Sequence, residues 1–265
     1  MKFAFRFVAA LTILIFCCAS ECLAGQAPTV KLKPDDYIFR KEMYTDKKTV
    51  RMPYRLFVPS GYDAQQKYPL ILWLHGGSGR GFTNEAQITN ANELGSHIWT
   101  TKENQERFPA FVLAPQCSSE ENWGDPDLNE IIPPLQRVLE ILANVQKDYS
   151  IDANRIFLVG QSMGGLGVWA LLQTFPDKWA GAIVLSSYDN FTNANGIARV
   201  PLWIFQGDAD LTVPVELVRQ MVKDLKKAGG QPRYTEYHKV THEVWDKAFR
   251  EPDLLNWITA QKRTN

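Results

Sequence analysis

One serine, two aspartates and two histidines stand in an order that could activate a nucleophile. Ser162 lies in Gly160-Gln-Ser-Met-Gly164, which fits G-x-S-x-G. The apolar run Ile156 to Val159 precedes it, and a helix-compatible segment, Leu166 to Thr174, follows. Strand, sharp turn, helix is the context that presents a seryl hydroxyl above a sheet. The glycines remove Cβ atoms where the chain crowds, so the turn can hold a strained serine. The N–H of Met163, opening the helix, is then free to donate to an oxyanion. The competing reading is a glycine turn with an incidental serine, and the flanking strand and helix weigh against it.

A serine needs a general base within hydrogen-bond reach. After an elbow of this type the chain order is acid, then histidine. Acid candidates lie in Phe205-Gln-Gly-Asp-Ala-Asp-Leu-Thr-Val-Pro214. Asp210, in the loop past the strand, is preferred; Asp208, two residues nearer the strand, is the alternative or a brace for the loop. Only His238 and His242 follow. His238 is read within the last strand and His242 in the loop before Trp245, so His242 is the preferred base, with the acid holding its tautomer. The second oxyanion donor is expected in His75-Gly-Gly-Ser-Gly79, from Gly77, with Gly76 as the alternative. His75 reads as a structural residue beneath that loop. No G-x-G-x-x-G or P-loop ending marks a nucleotide site, and no H-E-x-x-H marks zinc. Neither a metal nor a cofactor is expected.

These residues need a scaffold. Tyr37–Thr45 and Val50–Val58 read as an antiparallel hairpin, and Tyr68–Leu74, Ala110–Ala114, Ile156–Val159, Ala180–Ser186, Pro201–Phe205 and Arg233–Val240 as further strands. Leu128–Lys147 (interrupted near its start by Pro133-Pro134, which suit a helix's first turn better than its interior), Leu166–Thr174, Val215–Lys227 and a closing Trp245–Gln261 have helical spacing. Alternating strands and helices predict an α/β fold, a mostly parallel eight-stranded sheet with helices on both faces. Only a short polar loop separates Ser187 from Arg199, so no large cap domain is expected. Phe82, Trp123 and Tyr188 fall in loops expected to face the site and touch substrate.

At 265 residues the chain suits one domain, residues 25–265. Lys2 and Arg6, the apolar run Val8 to Ala19 and Cys22-Leu-Ala24 read as a signal peptide over residues 1–24. That run is too short to span a bilayer, so a secreted or periplasmic protein without stable membrane insertion is expected. The residues before Cys17, Cys18 and Cys22 (Phe16, Cys17 and Glu21) argue against a lipoprotein. Cleavage would leave Cys117 as the single cysteine, read as a packed residue rather than a nucleophile. With 29 Lys+Arg against 29 Asp+Glu and no basic stripe, nothing points to nucleic acid.

Four stretches together resemble the α/β-hydrolase superfamily: HGGSG at 75–79, GQSMGG at 160–165, GDADLTVP at 207–214 and THEVW at 241–245. Ala114-Pro-Gln-Cys117, followed by Trp123 and by Ile151-Asp-Ala-Asn-Arg155, is similar to a narrower group. That group comprises secreted predicted peptidases, phospholipase/carboxylesterase-like proteins, and relatives of polyhydroxybutyrate depolymerases and feruloyl esterases. The resemblance implies an α/β-hydrolase fold with Ser162, Asp210 and His242 as a triad. Ser118-Ser-Glu-Glu-Asn122 departs from the group's pattern, so its substrate pocket does not carry over. The expected function is a secreted serine carboxylesterase acting on short-acyl or aryl esters, free or linked to carbohydrate. The alternatives are a peptidase of the prolyl-oligopeptidase-like group and a non-catalytic binding protein on the same fold.

Overall fold

The computed structural model describes residues 38–263, Asp127 and Asn129 excepted. The expected signal segment, residues 1–24, lies outside the described residues.

Tyr68-Pro-Leu-Ile-Leu-Trp-Leu74 is apolar apart from one phenol, and as strand β3 (Tyr68–Leu74) it is buried along its whole length. The other strands are β1 (Phe39–Thr45), β2 (Arg51–Phe57), β4 (Phe111–Pro115), β5 (Ile151–Gln161), β6 (Gly181–Leu185), β7 (Leu202–Gly207) and β8 (Arg233–Tyr237). They form one eight-stranded sheet in the order β1-β2-β4-β3-β5-β6-β7-β8. β2 runs antiparallel to both β1 and β4, and all the remaining pairings are parallel. The expected mostly parallel sheet is present, with the serine turn following the fifth strand.

The helices are α1 (Glu93–His97), α2 (Lys102–Arg107), α3 (Pro133–Asp148), α4 (Met163–Thr174), α5 (Ala194–Ile197), α6 (Val215–Lys227), α7 (Trp245–Ala248) and α8 (Leu254–Thr259). Strand alternation splits the core into two layers. Leu70, Leu72, Leu158, Val184 and Ile204 share one layer with Leu135 and Val138 of α3, Val168 and Leu171 of α4, and Val218 and Leu225 of α6. Ile71, Trp73, Phe157, Val159, Ile183 and Phe205 share the other with Ile98, Trp99, Phe249, Leu254 and Ile258. Helices therefore cover both faces. Between β6 and β7 the chain makes only the single turn α5.

Several elements differ from expectation: α3 begins at Pro133, where the two prolines form its first turn, rather than at Leu128, and β5 extends beyond Ile156–Val159 at both ends. The closing segment is two short helices, α7 and α8, rather than one. Pro252 lacks an N–H and disfavours helical backbone at Glu251, which ends the first. β8 stops at Tyr237 because the chain turns there, with Lys239 at φ 57°. The stretch between β3 and β4, for which no helix was expected, carries α1 and α2.

Candidate active site

Ser162 occupies the sharp turn between β5 and α4 with φ 52° and ψ −119°. Such backbone costs a non-glycine residue on the order of 1–3 kcal/mol and persists only where neighbours enforce it. They do so here: Ser162 N–H donates to Leu185 O at 2.8 Å, and Gly165 N–H donates to Ser162 O at 2.8 Å. Gly164 brings α4 against the end of β3, where an added Cβ would lie 1.9 Å from Leu74 O. Ser162 is partly exposed at the carboxyl edge of the sheet.

Asp210 comes from the loop after β7 and His242 from the loop after β8. His242 Nε2 lies 2.8 Å from Ser162 Oγ, and His242 Nδ1 lies 2.8 Å from Asp210 Oδ2. A carboxylate can only accept, so Nδ1 carries the proton and Nε2 is the acceptor facing the serine hydroxyl. The Asp210 side chain is fully buried, and that of His242 is one-fifth exposed. Three further donors hold the carboxylate: Thr212 N–H and Val213 N–H on Oδ1, and Gln206 Nε2 on Oδ2. Ser186 Oγ donates to the His242 carbonyl at 2.7 Å, and the Trp245 ring stands perpendicular to the imidazole.

The two alternatives pair with each other. Asp208 Oδ2 lies 2.7 Å from His238 Nδ1, and Asp208 Oδ1 accepts Lys239 N–H at 2.6 Å. The His238 hydrogen bond holds the Asp208 carboxyl below the usual aspartate range. His238 lies beyond the end of β8 with an exposed ring, which corrects its expected position inside the strand. Asp208 thus braces the 238–242 turn.

On the oxyanion side, Gly77 opens a short 3₁₀ turn, Gly77–Gly79, and Met163 opens α4. First residues of helices have N–H groups without an intrahelical acceptor. Gly76 is different, because its N–H donates to Asn92 Oδ1 at 2.8 Å. That bond removes Gly76 from the candidate donors and leaves Gly77 and Met163.

His75 lies fully buried beneath this loop. Its Nδ1 donates to Gly76 O at 2.7 Å, and its Nε2 accepts Cys117 N–H at 3.0 Å. The second contact requires the neutral ring, because only an unprotonated Nε2 can accept, and burial lowers the His75 pKa from 6.5 to about 4. Burial likewise pushes the Cys117 thiol up to about 12, which keeps it protonated. The unfolded chain takes up a proton on His75 as pH falls through 6.5, whereas the folded protein resists until about 4. Stability should therefore fall with decreasing pH across that window, by about 3 kcal/mol from this residue, and level off below it. Urea unfolding of wild type and His75→Asn between pH 7.5 and 4 checks this. The variant should show a shallower slope, and equal slopes would refute the assignment.

Of the expected substrate residues, Trp123 must be corrected. It is fully buried, its Nε1 donates to His75 O at 3.1 Å, and its ring packs edge-on against the imidazole. The indole is drawn into the core beneath the oxyanion loop and supports it rather than facing substrate. Phe82 is half-exposed, with the Arg51 guanidinium 5.6 Å from its ring centroid. Tyr188 is partly buried and lines a cleft of about 250 Å³ with Phe191, Leu217 and Met221. Ser186 and Asn92 were not legible from the sequence, and Gln206 had only its place directly before the 207–214 stretch as a signal.

A mostly parallel sheet carrying a serine elbow, with acid and histidine on successive loops, defines an α/β-hydrolase fold. Within it, the chain belongs to the Phospholipase/Carboxylesterase family, whose model matches residues 62–257. It is similar to a thermostable esterase of known structure, at 34% identity and a TM-score of 0.81, over 85% of this chain and 63% of that one. It is 27% identical over 210 residues to carboxylesterase SOBER1 of Arabidopsis thaliana, covering 71% of this chain and 88% of that protein. It is also 29% identical over 132 residues to poly(3-hydroxyalkanoate) depolymerase C of Paucimonas lemoignei, 47% of this chain but only 28% of the depolymerase.

Proposed function

We propose that this protein is a secreted serine carboxylesterase acting on short-acyl or aryl esters, including esters carried on carbohydrate. The observation that carries the reading is the unbroken relay Asp210–His242–Ser162, with both links at 2.8 Å. Ser162 Oγ attacks the ester carbonyl as His242 Nε2 takes its proton. The N–H groups of Gly77 and Met163 hold the oxyanion. Protonated His242 is stabilised by Asp210 and returns the proton to the leaving alcohol. A water, deprotonated by the same imidazole, then cleaves the acyl-enzyme and regenerates the serine. Family membership and the names of the similar esterases support ester rather than amide bonds. The single turn between β6 and β7 supports short acyl groups, because it offers little apolar surface to cover a long chain. Lys2, Arg6 and the apolar run behind them support export.

The test is hydrolysis of p-nitrophenyl acetate through dodecanoate by exported protein whose first residue, by N-terminal sequencing, is Gly25. We expect kcat/KM to be highest at two to four acyl carbons and to drop at least about tenfold by twelve. A rising trend would overturn the short-acyl reading. Fluorophosphonate labelling of Ser162 without any ester turnover would point instead to a peptidase.

A further inference from the structure

The oxyanion donors are backbone groups, so something must aim them. We infer that Asn92 is a positioning residue for the oxyanion hole, a role that rests on the esterase reading above. Asn92 is fully buried, and its side-chain amide touches both halves of the site. Oδ1 accepts Gly76 N–H at 2.8 Å from the loop after β3, and Gln161 Nε2 at 3.2 Å from the residue before the nucleophile. Nδ2 donates to Ser78 Oγ at 3.2 Å and to Ala86 O at 3.1 Å. The amide is thereby saturated and its orientation fixed.

The consequence reaches Gly77 through the geometry of one peptide. Gly76 O accepts from His75 Nδ1 at 2.7 Å and from Gly79 N–H at 2.9 Å, which fixes where that carbonyl points. The peptide unit is planar and trans, so the Gly77 N–H must point the opposite way, away from the buried imidazole. Asn92 holds the other end of Gly76, and together the three bonds leave that residue no freedom to rotate. Gln161 extends the brace: its Nε2 also donates to Ala91 O at 2.8 Å, tying the segment just before Asn92 to the end of β5, one residue from Ser162 and two from Met163. Asn92 thus sets the spacing between the two donors, a function that needs neither contact with substrate nor exposure.

A misaimed donor weakens the transition state more than the bound ester. Asn92→Ala should lower kcat about 10- to 100-fold with KM within about twofold, below the full effect of deleting a donor. Affinity for an aryl trifluoromethyl ketone, which forms an oxyanion on Ser162, should fall by the same factor. Rates are to be normalised to sites titrated with a fluorophosphonate, so misfolded protein lowers the count of sites and not the rate per site. If Asn92→Ala gives no folded protein, Gln161→Ala, which removes only the link to the elbow, should show the same split more weakly.

Per-site kcat and ketone affinity within twofold of wild type would overturn the assignment. So would loss of kcat with ketone affinity unchanged. Failure of the esterase reading looks different: wild type itself would neither label nor hydrolyse any ester, and both inferences would fall together.

Discussion

Ser162→Ala is expected to lower kcat for p-nitrophenyl acetate by about 10⁶, and Asp210→Asn by about 10⁴, whereas Asp208→Asn should stay within a few-fold of wild type. Removing Oγ abolishes the acyl-enzyme, leaving only whatever the oxyanion donors contribute to attack by water. The asparagine effect has a different origin. Asp210 now accepts from Gln206 Nε2 and the Thr212 and Val213 N–H groups while facing His242 Nδ1. An amide there can turn its NH₂ toward Nδ1, which selects the tautomer that carries its proton on Nε2. That imidazole donates where it must accept. Asp208 hydrogen-bonds the exposed His238 and the Lys239 N–H, and asparagine can keep the second of these. Steady-state kinetics on site-titrated enzyme separates the three variants. A larger loss at Asp208 than at Asp210 would mean that the acid belongs to the other aspartate–histidine pair, and equal losses would refute the distinction between them.

The second large effect is on stability. Gly164→Ala would put a methyl group 1.9 Å from Leu74 O, with His75 O at 2.9 Å. Both neighbours are backbone of β3 and its continuation, so no side chain can swing aside. Either α4 lifts from the sheet or the end of β3 bends, and each disturbs the Ser162 turn. We expect a loss of about 4 kcal/mol or more in urea unfolding, in the range that marks forced overpacking. Gly77→Ala is the control, since its added Cβ meets nothing within 4 Å. It should stay within about 0.5 kcal/mol of wild type. A Gly164→Ala protein as stable as wild type would show that the helix start has room that the structure denies it.

Much of this was legible in the chain itself, for a local reason. The strand cores are written in short apolar runs, and the turns that end them carry Gly, Ser and Asp at spacings dictated by backbone sterics. Residues 160–164 needed no partner to declare a turn. The order of Ser162, Asp210 and His242 followed from strands entering one sheet in sequence. The closing helix failed because its amphipathic spacing continues through Pro252, which breaks the backbone while leaving the pattern intact. His238 was read into β8 because alternation outlasts the hydrogen-bonded ladder, and the turn at Lys239 depends on Asp208, 31 residues away in the chain.

What the sequence determined by itself was the fold class, the elbow and a short set of candidates for acid and base. Tertiary structure showed how those candidates pair. The sequence preferred Asp210 over Asp208 only for its place past the strand; the structure buries Asp210 against His242 and sets Asp208 beside an exposed imidazole. Gly77 was preferred over its neighbour Gly76, and it is the approach of Asn92, 16 residues beyond Gly76, that commits the Gly76 N–H. Trp123 looked like a ring for substrate and proved to be the floor beneath His75. Local pattern encodes which backbone conformations a segment can adopt. Which polar groups meet across 16, 32 or 80 residues is set by how the loops converge at the carboxyl edge of the sheet.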